Sequence, residues 1–241
     1  MQFTYSSYRD LTALLREQGY AICSYHNYEA QRRCAILRHD IDNSPEAALR
    51  LAETEAEASV FSTWFVMVTS DLYNPASARN LAALSALRRM GHEIGLHFDE
   101  KAYGDSLPPA RLVPAIQREA GILSDILGEP VTTVSMHRPS RQTLEADLRI
   151  PGMVNSYGHT FFRDFKYLSD SRRRWREPVC EIIRSRAHER LHILTHAFWY
   201  HEREQSIGET VGRFVRGANR ERYEQLRGNI TDLASILPEV D

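Results

Sequence analysis

The chain has 241 residues, of which 42% are hydrophobic, 26% charged and 10% aromatic, and its formal net charge is −2. A disordered protein carries less apolar and aromatic weight, and a repeat or coiled-coil protein shows a fixed period that this sequence lacks. A near-neutral balance argues against a dedicated nucleic-acid-binding protein, which usually has a basic excess. We therefore expect a single domain over residues 1–241 that does not bind nucleic acid.

The N-terminal segment and the cysteines bear on the cellular compartment. The first residues lack the basic start and apolar core of a secretory signal, and no stretch approaches the length of a membrane span. Cys23, Cys34 and Cys180 are odd in number and follow no CxxC spacing, so we expect free thiols in a reducing compartment. The sequence thus predicts a cytoplasmic protein without a membrane span, and it leaves the oligomeric state open.

Hydrophobic spacing predicts helices and strands that alternate along the chain. The predicted helices cover residues 6–19, a segment from 45, 81–90, 111–127 and about 208–237, the last interrupted near Gly217 or Gly228. The predicted strands cover residues 34–38, 60–68, 92–98, 131–136, 153–157, 165–168 and 191–198. This alternation indicates a parallel α/β sheet, and about seven strands favour a distorted, incomplete (β/α) barrel. We expect its core at about 34–200, with the two terminal helices packed on it.

In folds of this kind the chemistry lies at the carboxyl ends of the strands, where four predicted strands have titratable residues. Asp40 and Asp42 follow the first strand and point to the same side, because side chains alternate along a strand. One of two such carboxylates can bind a metal while the other takes a proton from water. Taken alone, the two aspartates fit helix capping ahead of residues 43–45 equally well.

Histidines and an arginine end the other three strands. His97 and Asp99 share one face, and His97 comes where the apolar pattern stops, which suits a ligand for zinc or a similar metal. His196 lies near the end of the strand at 191–198, where it could act as a general acid or be a buried core histidine. Arg138 follows the strand at 131–136 and could pair with a carboxylate.

Together these motifs resemble a known superfamily. Four of them come in one order: Arg-His-Asp-Ile-Asp at 38–42, Gly-His-Glu-Ile-Gly-Leu-His at 91–97, His-Arg-Pro-Ser at 137–140 and Leu-Thr-His at 194–196. The series is similar to that of the polysaccharide deacetylase superfamily, also called the NodB-homology or carbohydrate esterase family 4 group. The resemblance spans roughly residues 34–200, and the Gly-His-Glu-Ile-Gly-x-His run is its most specific part.

The resemblance implies a distorted (β/α) barrel with a divalent metal, usually zinc, that hydrolyses N-acetyl groups on amino sugars. It also implies a set of site residues: the general base Asp40, the metal ligands Asp42 and His97, the general acid His196, the base-tethering Arg138 and the acid-orienting Asp170. The alternation of side chains along the strands reaches four of these independently, namely the base, the two ligands and the acid.

One position departs from the superfamily's pattern. The second motif normally has another histidine four residues after the first, but Lys101 stands there. His137, at a neighbouring strand end, and Asp99, on the same face as His97, could each replace it as the third ligand. We favour His137, because a second imidazole keeps the nitrogen-rich ligand set of zinc. The sequence therefore predicts an atypical member of the group.

We expect a metal-dependent hydrolase that removes an N-acetyl or similar N-acyl group from an amino sugar. A cytoplasmic protein would meet a nucleotide- or lipid-linked intermediate of surface polysaccharide or lipopolysaccharide synthesis. Arg141, Arg163 and the arginines at 172–174 could bind its phosphate or acidic sugar groups, or they could be ordinary surface residues. Lys101 keeps two alternatives open: an amidase on a non-sugar substrate, even one without a metal, and a catalytically silent carbohydrate-binding homologue.

Overall fold

Helices and strands alternate along the chain in the structure, a computed structural model that describes residues 1–104 and 107–238. In chain order they are α1 (Tyr5–Glu17), β1 (Ala21–Cys23), β2 (Cys34–Ile41), α2 (Pro45–Glu57), β3 (Thr63–Val66), α3 (Ala78–Arg89), β4 (Glu93–Asp99), α4 (Pro109–Leu127), β5 (Thr133–His137), α5 (Arg141–Glu145), β6 (Val154–Asn155), β7 (Lys166–Ser169), α6 (Val179–Ser185), β8 (Arg190–Thr195), α7 (Ile207–Arg227) and α8 (Leu233–Ile236). All the strands lie in one unit, Met1–Glu202, and the last two helices lie in a second, Arg203–Asp241.

The strands form one sheet in the order β6-β5-β4-β3-β2-β8-β7, and every pairing between them is parallel. β1 pairs with residues Cys34–Ile36 of β2, and β3 pairs with the later residues Arg38–Ile41. Because β8 occupies the other edge of β2, β1 and β3 share one edge. The sheet curls into an open, incomplete barrel, so the predicted fold class is confirmed.

Side chains of β2 alternate between the two faces of the sheet, and this alternation positions the site. Ala35, Leu37 and Ile41 belong to the large core that the sheet forms with the helices. Cys34 and Ile36 belong to a smaller cluster on the opposite face, inside the barrel. Continuing the alternation places residues 38, 40 and 42 on the inner face as well. The two aspartates therefore point into the barrel at the carboxyl end of β2.

Two element boundaries differ from the prediction in ways that matter for the site. β2 runs on to Ile41, so Asp40 belongs to the strand itself. β8 ends at Thr195, and residues 197–199 form a short 3₁₀ turn, so His196 stands directly after the strand. The strand β1 is not predicted from the sequence, because three residues are too few to show an alternation.

The second unit contains two helices instead of the single long one predicted. α7 begins with a capping box, in which the Ser206 hydroxyl accepts from the Glu209 N–H and the Glu209 carboxylate accepts from the Ser206 N–H. The chain leaves the helix at Gly228, which is one of the two interruptions predicted. The packing of this segment on the barrel stays a prediction. None of the described helices combines the length and the apolar character that crossing a bilayer requires.

Candidate active site

The carboxyl ends of β2, β4, β5 and β8 open into one cavity of about 710 Å³. Six of the seven residues predicted from the sequence line it: Asp40, Asp42, His97, His137, Arg138 and His196. The seventh, Asp170, is fully buried behind His196. The structure thus brings the predicted residues to one place. It differs from the prediction in the residue that Arg138 contacts.

Three side chains in this cavity point their ligand atoms at one another. Asp42 Oδ1 lies 3.2 Å from His97 Nε2 and 3.4 Å from His137 Nδ1, and the two ring nitrogens are 3.2 Å apart. Tetrahedral zinc with ligands at about 2.1 Å holds those ligand atoms roughly 3.4 Å from one another. The triangle therefore already has the dimensions of one face of a zinc site.

The environment of Asp42 supports the same conclusion. Its Oδ1 atom is buried and has no hydrogen-bond partner among the described residues, although both imidazoles are near enough for an ion pair. A buried carboxylate oxygen without a partner is costly, and a cation would satisfy it. Burial would raise the pKa of Asp42, but His137 and His97 hold it well below its ordinary value. Asp42, His97 and His137 therefore fit one divalent cation.

In each of the two imidazoles, the nitrogen that does not face the triangle makes a contact. This contact affects whether the other nitrogen can bind a metal. His97 Nδ1 lies 3.1 Å from Ser135 Oγ, and when Nδ1 donates this hydrogen bond, Nε2 keeps its lone pair for a metal. At His137, Arg138 Nε donates to Nε2 at 2.8 Å, so a neutral ring carries its proton on Nδ1. A metal on Nδ1 and this hydrogen bond exclude each other. Binding of a metal at Nδ1 would therefore require this hydrogen bond to break.

Asp40 is a second buried carboxylate in the wall of the cavity, and its partner is an arginine on its own strand. Arg38 donates to it from Nη2 at 2.7 Å and 3.0 Å and from Nε at 3.2 Å. Burial would raise the pKa of Asp40, but Arg38, followed by His97 and His196, holds it below its ordinary value. The carboxylate is consequently ionised at neutral pH and can accept a proton.

Arg38 is itself fully buried and fixed from several sides. Its guanidinium lies between the rings of Phe65 and Tyr157, at 5.1 and 5.0 Å from their centroids. Nη1 donates to Ser156 Oγ at 3.0 Å, and Nη2 donates to Ser135 Oγ at 2.6 Å. The Ser135 hydroxyl also contacts His97. It therefore connects Arg38, which holds Asp40, with the metal triad, the three candidate ligands Asp42, His97 and His137.

The structure does not show the contact between Arg138 and Asp40 that the resemblance implies. The resemblance implies that Arg138 tethers Asp40, but its guanidinium is directed at His137, and within residues 1–104 and 107–238 it makes no ion pair with Asp40. The tether is Arg38. The signal that could have identified it is its place two residues before Asp40, which puts both side chains on one face of β2.

His196 is held by Asp170, as the resemblance implies. His196 Nδ1 lies 2.6 Å from Asp170 Oδ1, while Oδ2 accepts from the His196 backbone N–H at 3.2 Å and from the Tyr200 hydroxyl at 3.1 Å. Burial lowers the pKa of His196, but Asp170, with Asp42 and Asp40, more than offsets this and raises it to about 9. His196 is thus a protonated imidazolium at neutral pH, with Nε2 at 3.8 Å from Asp42 Oδ2.

Lys101 and Asp99 stand beside the triad without joining it. Lys101 is exposed in the short 3₁₀ turn Glu100–Tyr103. The Asp99 carboxylate accepts from the Lys101 backbone N–H at 3.0 Å and caps this turn. In the register of the sheet Asp99 is next to His137, whose ring nitrogen is the one that completes the triangle. The geometry therefore favours His137 over Asp99 as the third ligand.

No protein-family model and no curated protein matches the sequence. The chain is similar to solved polysaccharide deacetylases. One is a polysaccharide deacetylase from Bacillus cereus, with 14% identity, a TM-score of 0.46 and coverage of 79% of this chain and 89% of the other. A family 4 carbohydrate esterase from Bacillus anthracis has 15% identity, a TM-score of 0.46 and coverage of 85% and 81%. A peptidoglycan deacetylase from Bacillus subtilis has 13% identity, a TM-score of 0.46 and coverage of 83% and 98%.

Proposed function

We propose that the protein is a metal-dependent amide hydrolase that removes an N-acetyl or similar N-acyl group from an amino sugar. The observation that carries this proposal is the combination of three groups in one cavity. An ionised carboxylate, Asp40, and a protonated imidazole, His196, stand beside the triangle of metal-ligand atoms. Hydrolysis of an amide needs a base for the water and an acid for the leaving nitrogen.

Asp42, His97 and His137 would hold the metal, and two imidazoles with one carboxylate are a ligand set that suits zinc. A divalent cation there would polarise the acyl carbonyl and make water more acidic. The Ser135 hydroxyl keeps the His97 ring oriented, because it contacts the nitrogen that does not face the triad.

Asp40 and His196 divide the proton transfers. As the water oxygen bonds to the acyl carbon, Asp40 accepts the proton that the water loses, and the bonds from Arg38 hold its carboxylate in place. As the carbon–nitrogen bond breaks, His196 donates its proton to the leaving nitrogen. Asp170 keeps that proton on His196 at neutral pH. The products are a carboxylate and an amine.

Aromatic side chains in the cavity wall favour a sugar over other amides. Tyr157 and Trp199 both line the cavity, and such rings pack against the apolar face of a sugar ring. A role in surface polysaccharide or lipopolysaccharide synthesis and a cytoplasmic location stay predictions.

Acetate release tests the proposal directly. Protein loaded with zinc is incubated with N-acetylglucosamine oligomers and with phosphorylated and acidic N-acetyl sugars, and acetate is followed by NMR. We expect release that a chelator abolishes and that added zinc restores. If zinc-loaded, folded protein releases acetate from none of these sugars, the proposed reaction is wrong.

Variants of the acid and the base sharpen this test. Asp40→Asn and His196→Asn are both expected to lower kcat by roughly 10² to 10⁴ while zinc stays bound. Asp125→Asn, an exposed change on α4, is the matched control and should keep wild-type activity. Because Asp40→Asn leaves buried Arg38 without its anion, thermal unfolding of each variant shows whether the fold persists. Full activity in folded Asp40→Asn protein would refute its role as the base.

A further inference from the structure

Two arginines in the wall of the active-site cavity have no partner in the described part of the chain. Arg172 and Arg176 both follow β7 and both line the cavity that contains Asp42 and His196. Among residues 1–104 and 107–238, no carboxylate lies within ion-pair distance of either guanidinium, and neither makes a side-chain hydrogen bond. Each therefore presents its donors to whatever occupies the cavity.

The backbone holds Arg172 in an uncommon conformation. Its φ is +61° and its ψ is 30°, in the left-handed region that residues with a Cβ atom adopt rarely. Glycine or asparagine would adopt it at lower cost. Such strain is concentrated at binding and catalytic sites, where the direction of the side chain matters. What arginine adds at this position is a guanidinium in the cavity wall.

A second cavity adjoins the first along the open side of the barrel. It measures about 370 Å³ and shares Tyr157, Ser171 and Arg176 with the active-site cavity. Phe162 lies in its wall and stacks on Tyr157 with centroids 4.8 Å apart and on Tyr167 with centroids 4.6 Å apart. A molecule that fills both cavities would lay a ring against these aromatic side chains and would pass Arg176 on its way to His196.

The acids of the cavity do not neutralise these arginines. Asp40 is paired with Arg38, Asp42 belongs to the metal triad, and Asp99 accepts from a backbone N–H. Asp71 follows β3, which is three strands along the sheet from β7. The charged side chains that the wall after β7 contributes to this cavity, Arg172 and Arg176, are thus both positive.

We propose that Arg172 and Arg176 form an anion subsite beside the reaction centre, so that the substrate is an N-acylated sugar that carries a phosphate or a carboxylate. This inference rests on the proposed deacetylase function and names its substrate class. Guanidinium groups match the oxygens of either anion through paired hydrogen bonds. A phosphate would come from a nucleotide- or lipid-linked sugar, and a carboxylate would come from an amino sugar acid.

Binding measurements test the subsite without depending on turnover. Calorimetry on the zinc-loaded full chain compares N-acetylglucosamine, its 1-phosphate and an N-acetylated aminouronic acid. Phosphate and carboxylate also bind zinc, so tighter binding of an anionic sugar does not by itself show that the arginines bind it. The arginine variants make that distinction. Arg172→Gln and Arg176→Gln are each expected to weaken binding of the preferred anionic sugar by about tenfold and to leave neutral-sugar binding unchanged. If the substitutions weaken binding of the sugar phosphate more, the substrate is a phosphate-linked sugar. If they weaken binding of the aminouronic acid more, the substrate is an amino sugar acid.

Two further variants control for charge and for folding. Arg174→Gln removes an exposed arginine of the same segment that does not line the cavity, and it should bind like wild type. Arg172→Lys keeps the charge and should recover part of the affinity. In acetate release, the glutamine variants should raise KM for the anionic sugar and leave kcat nearly unchanged. Thermal unfolding confirms that each variant is folded.

The outcomes separate this inference from the function on which it rests. If acetate is released but the glutamine variants bind all three sugars like wild type, the anion subsite is wrong and the deacetylase stands. If arginine-dependent binding of an anionic sugar is found and no sugar is deacetylated, the deacetylase is wrong and the subsite stands. Equal losses in Arg174→Gln protein would also overturn the subsite, since they would reflect net charge alone.

Discussion

Two groups of buried histidines and acids lie on opposite faces of the sheet, and they differ in how well their polar atoms are satisfied. The inner group is the active-site cluster, where the buried Asp42 Oδ1 atom has no hydrogen-bond partner among the described residues. The outer group centres on Glu55, whose Oε1 accepts from Tyr8 at 2.6 Å and lies 3.1 Å from His39 Nε2. Its Oε2 accepts from Ser62 at 2.5 Å.

The two histidines of the outer group are satisfied in the same way. Thr195 Oγ1 lies 2.6 Å from His39 Nδ1, and the ring of His39 stacks on Trp64 with centroids 4.0 Å apart. His92 Nδ1 accepts from the Ser62 backbone N–H, and its other nitrogen faces the Ala52 carbonyl. Buried titratable residues alone thus do not mark a site. What marks the inner group is the cavity, the three ligand atoms that converge there, and the Asp42 Oδ1 atom that has no hydrogen-bond partner among the described residues.

The largest effect that we expect comes from breaking the outer group. Glu55→Leu removes the acceptor for Tyr8, Ser62 and His39 and leaves these buried polar atoms only the longer contacts of 3.3 Å, from Tyr8 to His39 and from Ser62 to His92. The expected loss in the free energy of unfolding is about 3–5 kcal/mol, measured by urea denaturation. Glu57→Leu, at an exposed position of the same helix, should change it by less than about 0.5 kcal/mol. Equal stability of the two variants would show that the outer group does not stabilise the fold.

Breaking the inner group should affect metal binding instead. His97→Ala removes one corner of the ligand triangle, so we expect zinc affinity to fall by more than about 10²-fold. His92→Gln, a change of a buried histidine in the outer group, is the matched control and should keep its zinc. Metal content by elemental analysis and affinity by competition with a chelator provide the measurements. Wild-type zinc content in His97→Ala protein would contradict the assignment of the triad.

The contrast between the groups also shows how much the sequence could predict. Hydrophobic periodicity was enough for the parallel sheet, and strand alternation was enough to bring Asp40, Asp42, His97 and His196 to one end of it. The partner of Asp40 was not predicted correctly, because a resemblance assigned it to Arg138, whereas Arg38 reaches it along the same strand. The spacing of two residues places Arg38 and Asp40 on one face of β2, but the contact also depends on Ser135 and Ser156, which hold the guanidinium from other parts of the chain and which no local pattern indicates.

The pH dependence of the metal-free protein tests the pair of His196 and Asp170. Because the pKa of His196 rises to about 9 on folding, its protonated form stabilises the fold below pH 6.5, and this contribution is lost as the pH rises through about 9. On the order of 3 kcal/mol of unfolding free energy should disappear over that range. Asp170→Asn should flatten this slope, as measured by denaturation with a chelator at each pH. A slope as steep as that of wild type would mean that another group is responsible.

The smallest effect concerns Arg138, which competes with the metal for His137. Its Nε–H···Nε2 hydrogen bond places the proton of a neutral ring on Nδ1, the atom that completes the triangle. Arg138→Ala removes this bond, so zinc affinity should rise by about tenfold, the equivalent of one hydrogen bond from a charged donor. Arg172→Ala removes another arginine of the same cavity without touching the triad and separates this effect from general charge repulsion. An equal gain in both variants would mean that Arg138 acts on the metal through its charge and not through the tautomer of His137.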